Sequence, residues 1–92
     1  MSEYIEIETE LSDDEGTFAV YTNLRLNDGQ AEQYHSQEEL EEGSPLAQAL
    51  AVIDGIRYLQ IKGSDMTVRH DPDTPWHLVT SDISAVLKDF FL

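Results

Sequence analysis

The sequence predicts an α+β fold in two layers, a mainly antiparallel sheet carrying two helices on one face, in the order β-β-β-α-β-β-α. Three observations carry this. Apolar and polar residues alternate with period two in the first third of the chain. Two proline-initiated stretches, from Pro45 and from Pro75, switch to helical spacing. Between them, two strand-like runs are joined by the short link Gly63-Ser64-Asp65.

The first strand is expected over Tyr4-Ile5-Glu6-Ile7-Glu8-Thr9, with Ile5 and Ile7 on one face and Glu6 and Glu8 toward water. Leu11-Ser12-Asp13-Asp14-Glu15-Gly16 has no periodicity and is rich in turn formers, so it reads as an exposed loop. Thr17 to Leu26 places Phe18, Val20, Leu24 and Leu26 on one face. Asn27-Asp28-Gly29 then predicts a hairpin turn into a strand over Gln30 to His35.

Ser36 to Gly43 carries Glu38, Glu39, Glu41 and Glu42 and precedes Ser44-Pro45, an N-cap residue followed by the proline favoured at the first helical position. Leu46, Leu50 and Ile53 follow at helical spacing, and Gly55 is expected to end this helix. The glutamates would then lie near its positive end. Ile56 to Lys62 and Met66 to His70 read as a strand pair. Asp71-Pro72-Asp73-Thr74-Pro75 breaks that pattern and starts the last helix, where Val79, Ile83, Val86, Leu87 and Phe90 recur and Trp76 should anchor the helix to the sheet.

A chain of 92 residues suits one domain spanning residues 1–92, with most apolar side chains committed to its core and no deep cavity. The absence of cysteine excludes disulfides and thiolate-ligated metal or cluster sites. No signal-peptide pattern or membrane span is visible, which makes a cytoplasmic location the expectation. The formal net charge of −14 disfavours binding to nucleic acid or to anionic membranes. That charge is lopsided: residues 1–43 hold 13 acidic residues against Arg25 alone. A basic protein surface is the partner such a half would attract, with Asp13, Asp14, Glu15, Glu38, Glu39, Glu41 and Glu42 as the expected contact residues. The domain itself is expected to be a monomer.

Chemistry is sparsely signalled. His70 and His77 flank Asp71 and Asp73, a nitrogen and carboxylate set that could ligate a metal, but no fixed ligand spacing of the H-x-x-x-H kind is present. Asp13-Asp14-Glu15-Gly16 lacks the alternating acids of a calcium loop. No phosphate-cradling glycine motif or nucleophile elbow occurs, so no catalytic residues and no cofactor are expected.

The runs Gly43-Ser44-Pro45-Leu46-Ala47, Ile53-Asp54-Gly55-Ile56 and Gly63-Ser64-Asp65-Met66-Thr67-Val68, followed by Trp76, resemble the N-terminal domain of Nfu/NifU-type scaffold proteins. Residues 43–91 carry the resemblance; Met66 stands where the family usually has an aromatic residue. Relatives also carry an Asn-Pro-Asn loop where this chain has Ser12 to Phe18. The resemblance implies an association with iron-sulfur cluster assembly, in a family whose cluster is held by a Cys-x-x-Cys motif in a separate C-terminal domain. Without cysteine, this chain is expected not to bind a cluster itself. The reading is therefore a non-catalytic interaction or adaptor module; the alternative is weak ferrous iron binding by carboxylates and histidines.

Overall fold

A computed structural model describes residues 5–12 and 16–91. Among these residues five strands and three helices follow in the order β1 (Ile7–Leu11), β2 (Thr17–Thr22), β3 (Glu32–Tyr34), α1 (Gln37–Glu41), α2 (Pro45–Leu50), β4 (Ile56–Lys62), β5 (Asp65–His70) and α3 (Trp76–Phe91). The strands form one sheet in the spatial order β1-β2-β5-β4-β3, and every neighbouring pair is antiparallel. The α+β class with an antiparallel sheet is as the sequence predicts.

Alternation builds the two faces. Phe18 lies opposite Val68, and Val20 opposite Met66, while Leu59 and Ile61 of β4 face the same two β5 residues from the other side. All six are buried. They meet Leu46, Ala47 and Leu50 of α2 and Val79, Ile83 and Leu87 of α3 in one core cluster. Burying such side chains contributes roughly 1.5–3 kcal/mol each relative to exposure. The register sets Ala19, Tyr21, Thr67, Arg69, Tyr58 and Gln60 on the opposite face, which carries no buried residue.

The two-residue link Gly63-Ser64 closes the β4–β5 hairpin, with Lys62 opposite Asp65. Gly63 has φ +63° and no other residue of the turn has positive φ, the signature of a turn with glycine at its first central position.

Several expectations need correction. The first strand starts at Ile7 and runs to Leu11, with Ile5 half-buried ahead of it, and Tyr4 lies outside the described residues. No β2–β3 hairpin forms. After β2 the chain wraps around the tip of the β4–β5 hairpin, where the carbonyl of Gly63 accepts from the N–H groups of Leu26 and Asn27, and that of Ser64 from Thr22. This carries β3 to the far side of β4, with Gln33 opposite Gln60.

The acidic stretch before Pro45 is itself a helix, α1, which makes three helices where two were expected. Finally, α2 ends at Leu50: Val52 is left in solvent and Ile53 drops into the core, the N–H of Ile53 donating to the carbonyl of Leu50. Gly55, at φ +95°, then turns the chain into β4. On α3, Phe90 is exposed and not part of the core. Trp76 is half-buried against the core, its ring 5.9 Å from that of Phe18.

Candidate functional site

Three surfaces hold the residues that carry charge or chemistry. The first is α1. Ser36 caps it, its hydroxyl accepting from the N–H of Glu39 at 3.2 Å, and Glu39 reaches back to accept from the N–H of His35 at 3.0 Å. This reciprocal satisfaction of end-group donors starts the five-residue helix with its first N–H groups met. Glu38 and Glu39 in its first turn also complement the positive end of the helix. Leu40 alone is buried, and Glu38, Glu39, Glu41 and Glu42 are all exposed, with no basic residue on the helix. Among the expected contact residues, Asp13, Asp14 and Glu15 lie outside the described residues.

The second surface is the segment from His70 to His77. The Nδ1 of His70 lies 3.0 Å from the carbonyl oxygen of Asp71 and 2.9 Å from that of Thr74, so it donates its proton to both. The carboxylate of Asp71 accepts from the N–H of Asp73 at 3.0 Å and from Arg57 at 3.3 Å. The Asp73 N–H, with a further pull from Arg57, holds the Asp71 carboxyl below the usual aspartate range against the opposing effect of desolvation. His77 and Asp73 are exposed. The side chains of His70 and Asp71 are thus tied into the turn, while His77 lies on α3. Among the described residues no three His, Asp or Glu side chains gather as a metal-holding group.

The third surface went unread in the sequence. On the helix-free face of the sheet lies an open groove of about 980 Å³, lined by Thr17, Arg57, Tyr58, Thr67, Arg69 and His70 among others. A β-bulge builds it: Ile56 stands opposite His70 but Tyr58 opposite Arg69, so Arg57 is the extra residue. Without the bulge, strand alternation from Leu59 and Ile61 would send Arg57 toward the core and Ile56 toward solvent. With it, Ile56 packs against the core and Arg57 lines the groove. The phase break between Ile56 and Leu59 was the signal in the sequence for this irregularity.

His35 connects the groove to α1. Its ring sits 5.2 Å from that of Tyr58, and its Nδ1 is 3.5 Å from Glu39. A smaller hollow of about 200 Å³ lies on the same face, from Thr67 to Lys62 and Tyr21. Arg57, Lys62 and Arg69 therefore place three of the chain's five basic side chains on this face.

The geometry is that of open surfaces. Among the described residues no polar or charged residue is buried, and no buried side-chain nitrogen or oxygen lacks a partner. Nor is any helix among them long and apolar enough to cross a membrane.

Comparison with known proteins gives a consistent picture. The family model described as scaffold protein Nfu/NifU N terminal matches residues 7–92. The solution structure of a NifU-like protein from Saccharomyces cerevisiae is similar at a TM-score of 0.77 and 21% identity, over 97% of this chain and 82% of that one. The crystal structure of a Staphylococcus aureus protein is similar at 0.71 and 12% identity, over 89% and 98%. The solution structure of a Staphylococcus epidermidis protein is similar at 0.60 and 14% identity, over 91% and 96%. At these identities the structural likeness speaks to the fold. No curated protein matches this chain in sequence.

Proposed function

This chain belongs to the scaffold protein Nfu/NifU N-terminal family, and from that premise we propose that it is a non-catalytic interaction module associated with iron-sulfur cluster assembly. In this reading it binds no cluster itself and docks a basic surface of an assembly component or client.

The observation that supports the docking role is α1, a capped helix that commits only Leu40 to the core and presents Glu38, Glu39, Glu41 and Glu42 to solvent. A sequence selected only for solubility has no need to cap such a segment, because dispersed acids solubilise equally well. Fixing the carboxylates on a short rigid element pre-organises them and lowers the ordering cost of association. Charge complementarity at such a surface acts mainly on encounter rate and partner choice, so binding should weaken as salt rises.

The test is capture from native lysate on the immobilised chain, compared with the variant E38K/E41K/E42K. The expected result is an iron-sulfur assembly protein or client, identified by mass spectrometry, retained at low salt and released by salt or by the variant. Equal retention by the variant, or retention that salt leaves unchanged, would overturn the assignment of α1.

A further inference from the structure

We propose that the groove on the helix-free face of the sheet is a second binding site, opposite in sign to α1, which takes an extended acidic peptide segment of a partner protein and seats one of its carboxylates on Arg69. This goes beyond the docking role of α1, since it uses the other face of the domain and the other sign of charge.

Arg69 stands on β5 between Thr17 of β2 and Tyr58 of β4. Its side chain is exposed, and among the described residues it has neither an ion-pair nor a hydrogen-bond partner. Thr17 and Thr67 line the groove beside it with hydroxyls that make no hydrogen bond among the described residues. A guanidinium flanked by free hydroxyl donors is a ready receptor for a carboxylate, which it can bind through two parallel bonds. Arg57 is aimed into the same groove by the bulge. Its ion pair with Asp71, at 3.3 Å with the Arg57 side chain mostly in solvent, is of the kind that contributes little and exchanges readily.

The shape selects an extended chain over a small anion. The groove is open, so a single ion would be held only by partly solvated contacts, each weak. An extended segment can sum several. Its side chains on one face repeat about every 6.6–7 Å, which suits cations spread from Arg57 and Arg69 along the sheet to Lys62. Tyr58, Pro72 and Tyr21 add apolar surface between them. Phosphate polymers are opposed by the net charge of −14, and a short acidic segment carries far less charge against that field.

The acids of this face set the footprint. Glu8 and Glu10 lie opposite Tyr21 and Ala19 at the β1 edge, and Asp65 lies opposite Lys62. The segment therefore runs over β4 and β5 and away from β1.

The test is titration of the isotope-labelled chain with a peptide of about eight residues alternating Glu and Tyr, followed by amide chemical shifts. Saturable shifts at Thr17, Tyr58, Thr67 and Arg69 are expected, with affinity lowered about five-fold or more by Arg69→Gln. The control Lys88→Gln, on α3, should leave affinity unchanged. A fold check by Trp76 fluorescence accompanies each variant. The proposal is overturned by any of four results: shifts that map elsewhere or do not saturate, an Arg69→Gln variant that binds equally well, inorganic phosphate or free glutamate reproducing the same shifts at equal concentration, or a dilution series in which these shifts report self-association of this chain.

Discussion

The phenol of Tyr34 occupies the space that a side chain at residue 43 would need. A Cβ at Gly43 would lie 2.7 Å from Cζ and 2.8 Å from the hydroxyl oxygen of that ring. The ring is not free to step aside. Its hydroxyl donates to Glu32 Oε1 at 2.5 Å and accepts from the N–H of Ser44 at 3.3 Å, so it ties the edge strand β3 to the start of α2. The run Gly43-Ser44-Pro45 thus has a mechanical meaning: the glycine admits the tyrosine, the serine caps, and the proline starts the helix.

Gly43→Ala should accordingly destabilise the domain by about 1–3 kcal/mol, the usual cost of forcing a group into filled space. Urea unfolding followed through Trp76 measures it. In a Tyr34→Leu background, where the ring is gone, the same substitution should cost markedly less; an undiminished cost would show that the ring is not the obstacle.

Glu32 makes stability depend on pH. Desolvation pushes its carboxyl upward, but hydrogen bonds from Tyr34, Asn27 and Ser44 together outweigh it and hold the group below its ordinary value of 4.5. A carboxylate lowered in the folded state contributes stability that is fully present above its unfolded pKa and is lost as pH falls through the folded one. The urea midpoint should therefore contain a component from Glu32 that disappears on acidification below the ordinary carboxylate range. Glu32→Gln should remove that component, so the gap between variant and parent narrows as pH drops; a constant gap would assign the effect to other acids.

Most of the fold was legible because it rests on local pattern. The alternation of Phe18 and Val20, the Gly63-Ser64 link and the spacing of Val79, Ile83 and Leu87 each specify an element without help from elsewhere. The misreadings have nameable causes. The acidic run reads only as the stretch ahead of the helix at Pro45, because its four glutamates mask the capping pattern Ser36-x-x-Glu39, which the structure uses. The groove was hidden because it depends on a bulge at Arg57 and on cross-strand register, neither of which a single strand displays.

The placement of β3 is the least legible feature, because it rests on long-range bonds to the β4–β5 hairpin, among them those of the Asn27 side chain. Asn27, in the segment that reads as a hairpin turn, accepts from the N–H groups of Gly29 and Gly63 at 2.9 and 2.7 Å. Its amide donates toward Gln30, Glu32 and the carbonyl of Ile61, at 2.7 to 3.1 Å. It therefore fastens the wrapped segment to the β4–β5 hairpin, and the turn chemistry serves a crossing where a hairpin was expected.

Asn27→Ala would strip those bonds and leave part-buried donors and acceptors unmet, at a cost of about 2–3 kcal/mol. Hydrogen exchange should show the loss concentrated in β3 and at the Gly63 turn, with β2–β5 pairing retained. Uniform acceleration across the sheet would mean that Asn27 supports the whole core and not this crossing.

Leu40 decides whether the acidic surface is a fixed structure. It is the one buried residue of α1, while Gln37 gives a second tether by donating to the carbonyl of Ala51 at 2.6 Å. Leu40→Ala should cost about 2–4 kcal/mol, since a buried leucine loses both transfer energy and packing. Gln37→Ala should cost only about 1 kcal/mol. In Leu40→Ala, amide exchange should rise first in residues 37–42, because a helix this short has no stability apart from its packing. If α1 is the docking element, this variant should also weaken salt-sensitive capture of the partner, although every carboxylate is still present. Capture at full strength with α1 loosened would mean that charge alone suffices, and that the shape of the helix plays no part in recognition.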